Sequence, residues 1–370
     1  MIKGQVVKQR DLIHRADVNY RELPSLNVSM IKLFDSDPIK FYEQFKLGKK
    51  KKDEKSLALI LGDLSDFYLL DCKGNEDEFD TRFDEKFSLL EENKTSSQAF
   101  TLADLLYDIT IEDLDDEGKS KSDFASRFTK ACKIAQDNKL YKGKGEDQIL
   151  KDLYEKAWSY FEARVANVGK ILVDIRTLEK GKKIAKGLQF DDFTKDVFED
   201  TDDIEYIPKF PIEWVYTTAD MKAIACKSEI DILKIDHHEK KIYLKDLKTT
   251  YDNEAFEYGY IKHGYYLQAA FYYYAVMHWA SENEYAHYRI DPMEFIVGDT
   301  SINNRRPLRY PTTMDDLKKS LDGFTLRGVK YKGLLQLIEE ISWAEDNDIW
   351  NVSKDAFDNN GIIPLNLKYD

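Results

Sequence analysis

Beyond Pro208 the apolar spacing switches from helical to alternating, and this switch constrains the fold more than any other feature of the chain. Residues 211–217 (PIEWVYT), 222–235 (KAIACKSEIDILKI) and 241–249 (KIYLKDLKT) carry the alternating, β-branched and aromatic pattern of strands. Only turn-like stretches at 218–221 and 236–240 separate them. Connections this short join antiparallel neighbours, so the three runs predict an antiparallel meander. An aromatic helical stretch follows at 258–280, then a fourth strand at 292–298 (PMEFIVG) and a last helix at 333–350. Helix, three strands, helix, strand is the order of an α/β domain.

Upstream, helical spacing dominates. Residues 20–45 read as two short helices, the first capped by Asn27 or Ser29 and the second opened by Pro38. The basic run Lys49, Lys50, Lys51 and Lys52 sits in a polar loop, either solvated or in contact with phosphate. Residues 56–70 (SLALILGDLSDFYLL) form a mostly buried helix with Asp63 and Asp66 on neighbouring positions of one face. Residues 73–148 are acidic, lysine-rich and punctuated by turn formers, which suggests a variable helical insertion. A long helix is expected from 148 to about 177 and a second from 178 to 188. The expected division is therefore an N-terminal helical part at 1–72, the insertion at 73–148, and a core domain at 149–370.

Composition narrows the class. Of 370 residues, 42% are hydrophobic and 13% aromatic, enough for a substantial core. No stretch approaches the length and apolarity of a membrane span, and the first residues never form a signal-like apolar run, so a soluble intracellular protein is expected. Cys72, Cys132 and Cys226 are the only cysteines, are widely spaced, and cannot supply a four-cysteine iron-sulfur cluster within one chain. The net charge of −14 argues against a uniformly basic nucleic-acid surface. It suits clustered carboxylates whose repulsion a divalent cation relieves.

Acidic-X-Lys triplets are common in so charged a chain; Asp53-Glu54-Lys55 and Asp84-Glu85-Lys86 match by chance. Asp246-Leu247-Lys248 differs because strand alternation sends Asp246 and Lys248 to the face shared with Ile242 and Leu244. If Asp236 and Lys241 close the preceding turn, Asp231 falls across from Asp246. Two facing carboxylates favour a hard cation bound through oxygen, unless the register slips by one or a lysine neutralises Asp231. Gln268 and Tyr272 are four apart on the helix that follows, and so share a face. Glu213 in the first strand either supports a metal or faces solvent. His237 and His238 resemble a zinc pair but fall in a turn, and Tyr265 and Tyr266 are packing residues or base-stacking platforms.

The run KSEIDILKIDHHEKKIYLKDLKTT, followed by YYLQAAFYYY, resembles the RecB-like and RecE-like branch of the PD-(D/E)XK nucleases, which includes phage exonucleases. NVSMIKLFDSDPIKFYEQF and LGDLSDF resemble that branch's N-terminal elements, with Asp66 where the family has a histidine. Residues 73–148 lie outside the resemblance. It implies a restriction-endonuclease-like αβββαβ core with a mixed sheet, and a Mg²⁺- or Mn²⁺-dependent deoxyribonuclease. Asp231, Asp246 and the Leu247 carbonyl would be metal ligands, Asp66 a further ligand or a helix-face salt bridge, Lys248 the catalytic lysine, and Gln268 and Tyr272 the helical motif. It implies exonucleolytic attack on linear duplex DNA in recombination or phage DNA processing, in the cytoplasm of a bacterial or phage-infected cell. A homo-oligomeric ring and a single-strand-annealing recombinase as partner follow from the same likeness. An endonuclease, or a DNA-binding scaffold without catalysis, is the alternative.

Overall fold

The computed structural model describes residues 24–49, 56–90, 97–112, 124–303 and 305–363. The chain forms a mixed α/β protein of two compact units, Met1–Lys51 with Lys186–Asp370 in one and Lys52–Ala185 in the other. The second unit is wider at both ends than the 73–148 segment singled out by composition. None of the described helices is long and apolar enough to cross a membrane.

Two helices open the first unit. Helix α1 (Val28–Ser36) is capped by Asn27, whose side chain accepts the Met30 amide at 3.0 Å; helix α2 (Pro38–Phe45) starts on proline, where a missing N–H costs nothing, with Asp37 as its cap.

The second unit begins with α3 (Leu57–Asp66), which widens into a π-helical turn at Phe67–Asp71. Then come α4 (Glu76–Lys86), strand β1 (Phe87–Leu90), α5 (Gln98–Glu112), α6 (Phe124–Asp137), α7 (Glu146–Ala166) and strand β2 (Ile171–Asp174), followed by α8 (Ile175–Phe190). Here the structure corrects the sequence reading twice. The segment expected to be helical contains β1, which pairs in parallel with β2. The long helix stops at Ala166 because Asn167 closes it and Gly169 turns the chain at φ 85°, a conformation open to glycine. The apolar, partly β-branched run ILVD then forms a strand instead of continuing the helix. Leu102, Leu106, Leu153 and Phe161 are fully buried in this unit's own core.

The first unit resumes with the meander: β3 (Ile204–Thr217), β4 (Ala223–Asp236) and β5 (Lys241–Thr250). Helices α9 (Phe256–Lys262) and α10 (Tyr265–Ser281) follow, then β6 (Arg289–Ile290), β7 (Glu294–Asp299), β8 (Leu308–Pro311) and α11 (Met314–Asp322). A small hairpin, β9 (Phe324–Leu326) and β10 (Val329–Tyr331), leads to α12 (Leu334–Asn347) and α13 (Lys354–Asp358). The main sheet runs β3-β4-β5-β7-β8, antiparallel except for β5 beside β7 and the short β6 beside β5. The expected meander and its register are present: Asp236 pairs with Lys241 and Ile232 with Lys245.

Helix α10 covers one face of the sheet. Its Phe271 ring lies 5.0 Å from Trp214 of β3 and its Trp279 ring 5.0 Å from Phe210. Phe271 is fully buried, and removing a side chain of its size from water stabilises by about 1.5–3 kcal/mol.

One irregularity bears on the site. Phe210 and Trp214, with Cys226 and Ile230 opposite, share a core with Ile207, Leu233 and Ile235, so the alternation of both strands slips by one between them. At the slip Lys209 adopts φ 53°, and its pairing partner by register, Asp231, drops out of the β3–β4 ladder. A left-handed lysine costs about 1–2 kcal/mol. Pro208 and Pro211, which flank it, are tolerated because β3 is the edge strand.

Candidate active site

The β4–β5 ladder ends at Ile232 and Lys245. One residue further, Asp231 takes the Leu247 amide with its carboxylate Oδ2 at 2.9 Å, a side-chain bond where the main-chain ladder has ended. Across from it Asp246 is fully buried, and both of its oxygens are used: Lys248 Nζ donates to Oδ2, and Gln268 Nε2 of α10 donates to Oδ1 at 2.6 Å. Lys248 Nζ also reaches the Leu247 carbonyl at 3.2 Å and lies 5.0 Å from the Tyr265 ring centre. Asp246 and Lys248 thus share one face of β5, as alternation requires.

Burial pushes the Asp246 carboxyl above its usual range, opposed by the charge of Lys248 and reinforced by that of Asp231. Burial works against the Lys248 ammonium, yet the neighbouring charges of Asp246 and Asp231 carry it above its ordinary value. In this arrangement the lysine partly neutralises a carboxylate pair.

Gln268 is held at both ends. Its amide must point Nε2 at Asp246, because a carboxylate only accepts, which leaves Oε1 to accept from Lys32 Nζ of α1 at 3.3 Å. Lys32 comes from a segment that sequence reasoning did not connect to the site. Its position is set by Leu26, which donates to the Ala225 carbonyl and accepts from the Lys227 amide on the edge of β4 that β5 has left. Burial, then the charge of Lys248, lower the Lys32 ammonium to about 7. Replacing Gln268 by Leu should therefore lower stability by about 1–3 kcal/mol, since one acceptor and one donor lose a partner. An unchanged thermal midpoint in Q268L would show that the bridge contributes nothing.

The other sequence candidates are placed as follows. Tyr272 is half-buried on α10 with its ring beside Phe271. Tyr265 lies under the Lys248 and Lys32 ammoniums, while Tyr266 is buried against Phe324. Glu213 pairs in register with Lys227, four positions along β4 from Asp231. Alternation with Trp214 turns it away from α10, so the structure does not bring it to Asp246. Its Oε1 is buried without a hydrogen bond. Asp66 ends α3 in the other unit, half-buried. His237 and His238 are exposed in the β4–β5 turn. Lys49 pairs with Glu43 at 2.6 Å, and Lys50, Lys51 and Lys52 lie outside the described residues.

Asp231, Asp246 and the Leu247 carbonyl are the oxygen groups here that could hold an ion. Among the described residues no three His, Cys, Asp or Glu side chains gather at one point. Two carboxylates with a main-chain carbonyl are all-oxygen and too few for a closed zinc or calcium cage. Such oxygen donors are ones that magnesium and manganese accept, with waters or substrate oxygens completing the coordination. No protein-family model matches the chain, and no curated protein matches it.

Proposed function

We propose that the unit containing this site is a Mg²⁺-dependent DNA nuclease built on a PD-(D/E)XK core, acting on linear duplex DNA as an exonuclease. The observation that carries the reading is the connected cluster of Asp231, Asp246, Lys248 and Gln268, drawn from two adjacent strands and the helix that follows them. The mixed sheet, with a meander feeding an aromatic helix and then a parallel strand, agrees with it.

Asp231, Asp246 and the Leu247 carbonyl would hold the ion. When bound, it supplies Lewis acidity at the phosphate and a water of lowered pKa. Asp246 is kept in one rotamer by Gln268, so its oxygens are preorganised. Lys248, held on the same strand face, supplies positive charge toward the phosphate and the departing oxygen, where negative charge develops. The rings of Tyr265 and Phe295 lie beside the ammonium, with centres 5.0 and 6.0 Å from Nζ.

Chelation by EDTA should stop cleavage and added Mg²⁺ restore it. The ion should also raise the thermal midpoint, by about 2.7 kcal/mol of stabilisation at a hundred times its dissociation constant. Linear and circular duplexes, end-labelled separately at 5′ and 3′ ends of the linear form, test the finer reading. Cleavage of circles marks an endonuclease. Binding without cleavage of either form marks an inactive scaffold.

A further inference from the structure

Lys32 stands out from the other cations near the site. Buried or half-buried ammonium groups are normally paired with an anion, because desolvation is costly. Lys248 has Asp246, whereas Lys32 has no carboxylate partner among the described residues; its hydrogen bond goes to the neutral Gln268 amide at 3.3 Å. Its Nζ lies 4.9 Å from the centre of the Tyr265 ring, which Lys248 also approaches at 5.0 Å. Two cations thus flank one ring, and one of them has no direct ion pair among the described residues, with Asp246 acting on it only at a distance.

The Lys32 side chain runs along the turn that opens α10. Gly264, which precedes α10, has φ 61°, and a Cβ there would lie 3.4 Å from Lys32 Cγ and 3.6 Å from its Cδ and Cε. Glycine is favoured here by the left-handed turn, and the lysine stem packs at ordinary contact distance from it. The stem runs past Gly264 and the head is held by Gln268. A side chain held this way loses little further freedom when it takes a ligand.

We propose that Lys32 is a phosphate-binding residue that takes a non-bridging oxygen of the DNA phosphodiester beside Asp246. The proposal rests on the nuclease reading for the identity of the anion. Lys248 meets the phosphate already paired with Asp246, whereas Lys32 has no ion pair among the described residues. An anion alone would be repelled by the carboxylates, and Lys32 offsets that repulsion at the point where the backbone must approach.

The test is DNA binding by fluorescence anisotropy with Ca²⁺ in place of Mg²⁺, on a short duplex of several sequences, as a function of salt. The proteins are wild type, K32M, which keeps the stem without the charge, and K32R, which keeps the charge. K32M should bind about tenfold more weakly on every sequence, and its log-log salt dependence should be shallower by about 0.9, one phosphate contact. K32R should retain the wild-type slope. A purely structural role for Lys32 would change affinity without changing the slope, and that result overturns the proposal. So does wild-type affinity in K32M. Cleavage in Mg²⁺ separates the two readings. A wild type that binds with a Lys32-dependent slope but never cleaves supports the phosphate contact and sinks the nuclease, whereas a wild type that cleaves with K32M unchanged sinks only the phosphate contact. A wild type with no affinity for DNA overturns both.

Discussion

D246N should lose metal-dependent DNA cleavage by on the order of a thousandfold while keeping its far-ultraviolet circular dichroism. Asp246 accepts from two donors, Lys248 and Gln268. Asparagine offers one acceptor and one NH₂, so one of the two donors must face another donor. Rotating the Gln268 amide does not help, because its Nε2 would then meet Lys32. The substitution thus removes a ligand charge and breaks a donor–acceptor chain that admits one orientation. A stability loss of about 3 kcal/mol should accompany the loss of activity, since Lys248 is left without its counter-charge. Assays belong well below the thermal midpoint, where the variant is folded. Cleavage by D246N at the wild-type rate would remove the basis for the proposed function.

The second large effect is expected at Lys248. K248M should reduce the cleavage rate by about 10²–10⁴, the range for removing a positioned catalytic group. It leaves a fully buried Asp246 beside Asp231 without its ion-pair partner, only the charge of Lys32 remaining nearby, which should cost about 3 kcal/mol in the absence of metal. Mg²⁺ should restore much of that stability, because the ion neutralises the same carboxylates, while leaving the rate low. K248R separates charge from chemistry: the guanidinium keeps the compensation, so stability should recover, but its planar fork does not reproduce the ammonium's position. Denaturant melts with and without Mg²⁺, alongside single-turnover cleavage, check both halves. A K248M protein as stable as wild type without metal would mean that the lysine does not balance the carboxylates.

The parts of this site that were legible in the sequence are those fixed by local rules. Strand alternation put Asp246 and Lys248 on one face, and a tight turn closed by Asp236 and Lys241 set a register that holds as far as Ile232 and Lys245, one residue short of Asp231 and Asp246. Helical spacing identified the helix bearing Gln268. What was not legible depends on contacts between distant segments. Lys32 meets Gln268 across 236 positions, and its own neighbourhood, MIKLF, reads as an ordinary amphipathic helix. The pleat slip at Lys209 depends on how two strands twist past each other; the prolines around it were visible, but not the left-handed lysine between them. The face taken by Glu213 was open for a related reason, since it is set by the slip and by Trp214. In the second unit, FSLL and ILVD are too short for periodicity to separate strand from helix, and their pairing across 84 positions decided the matter.

The β4–β5 hairpin has a bearing on how the protein reaches its native state. Its turn spans only His237, His238, Glu239 and Lys240, so the chain segment that must close to bring the carboxylates together is short and its entropic penalty small. Contacts of such low sequence separation are expected to form early, before those that recruit α1 or α10. The two like charges would then meet in a still hydrated hairpin, where water screens them. Their mutual repulsion grows only later, as the remaining helices dock and exclude solvent, and by then Lys248 is already in place on the same strand.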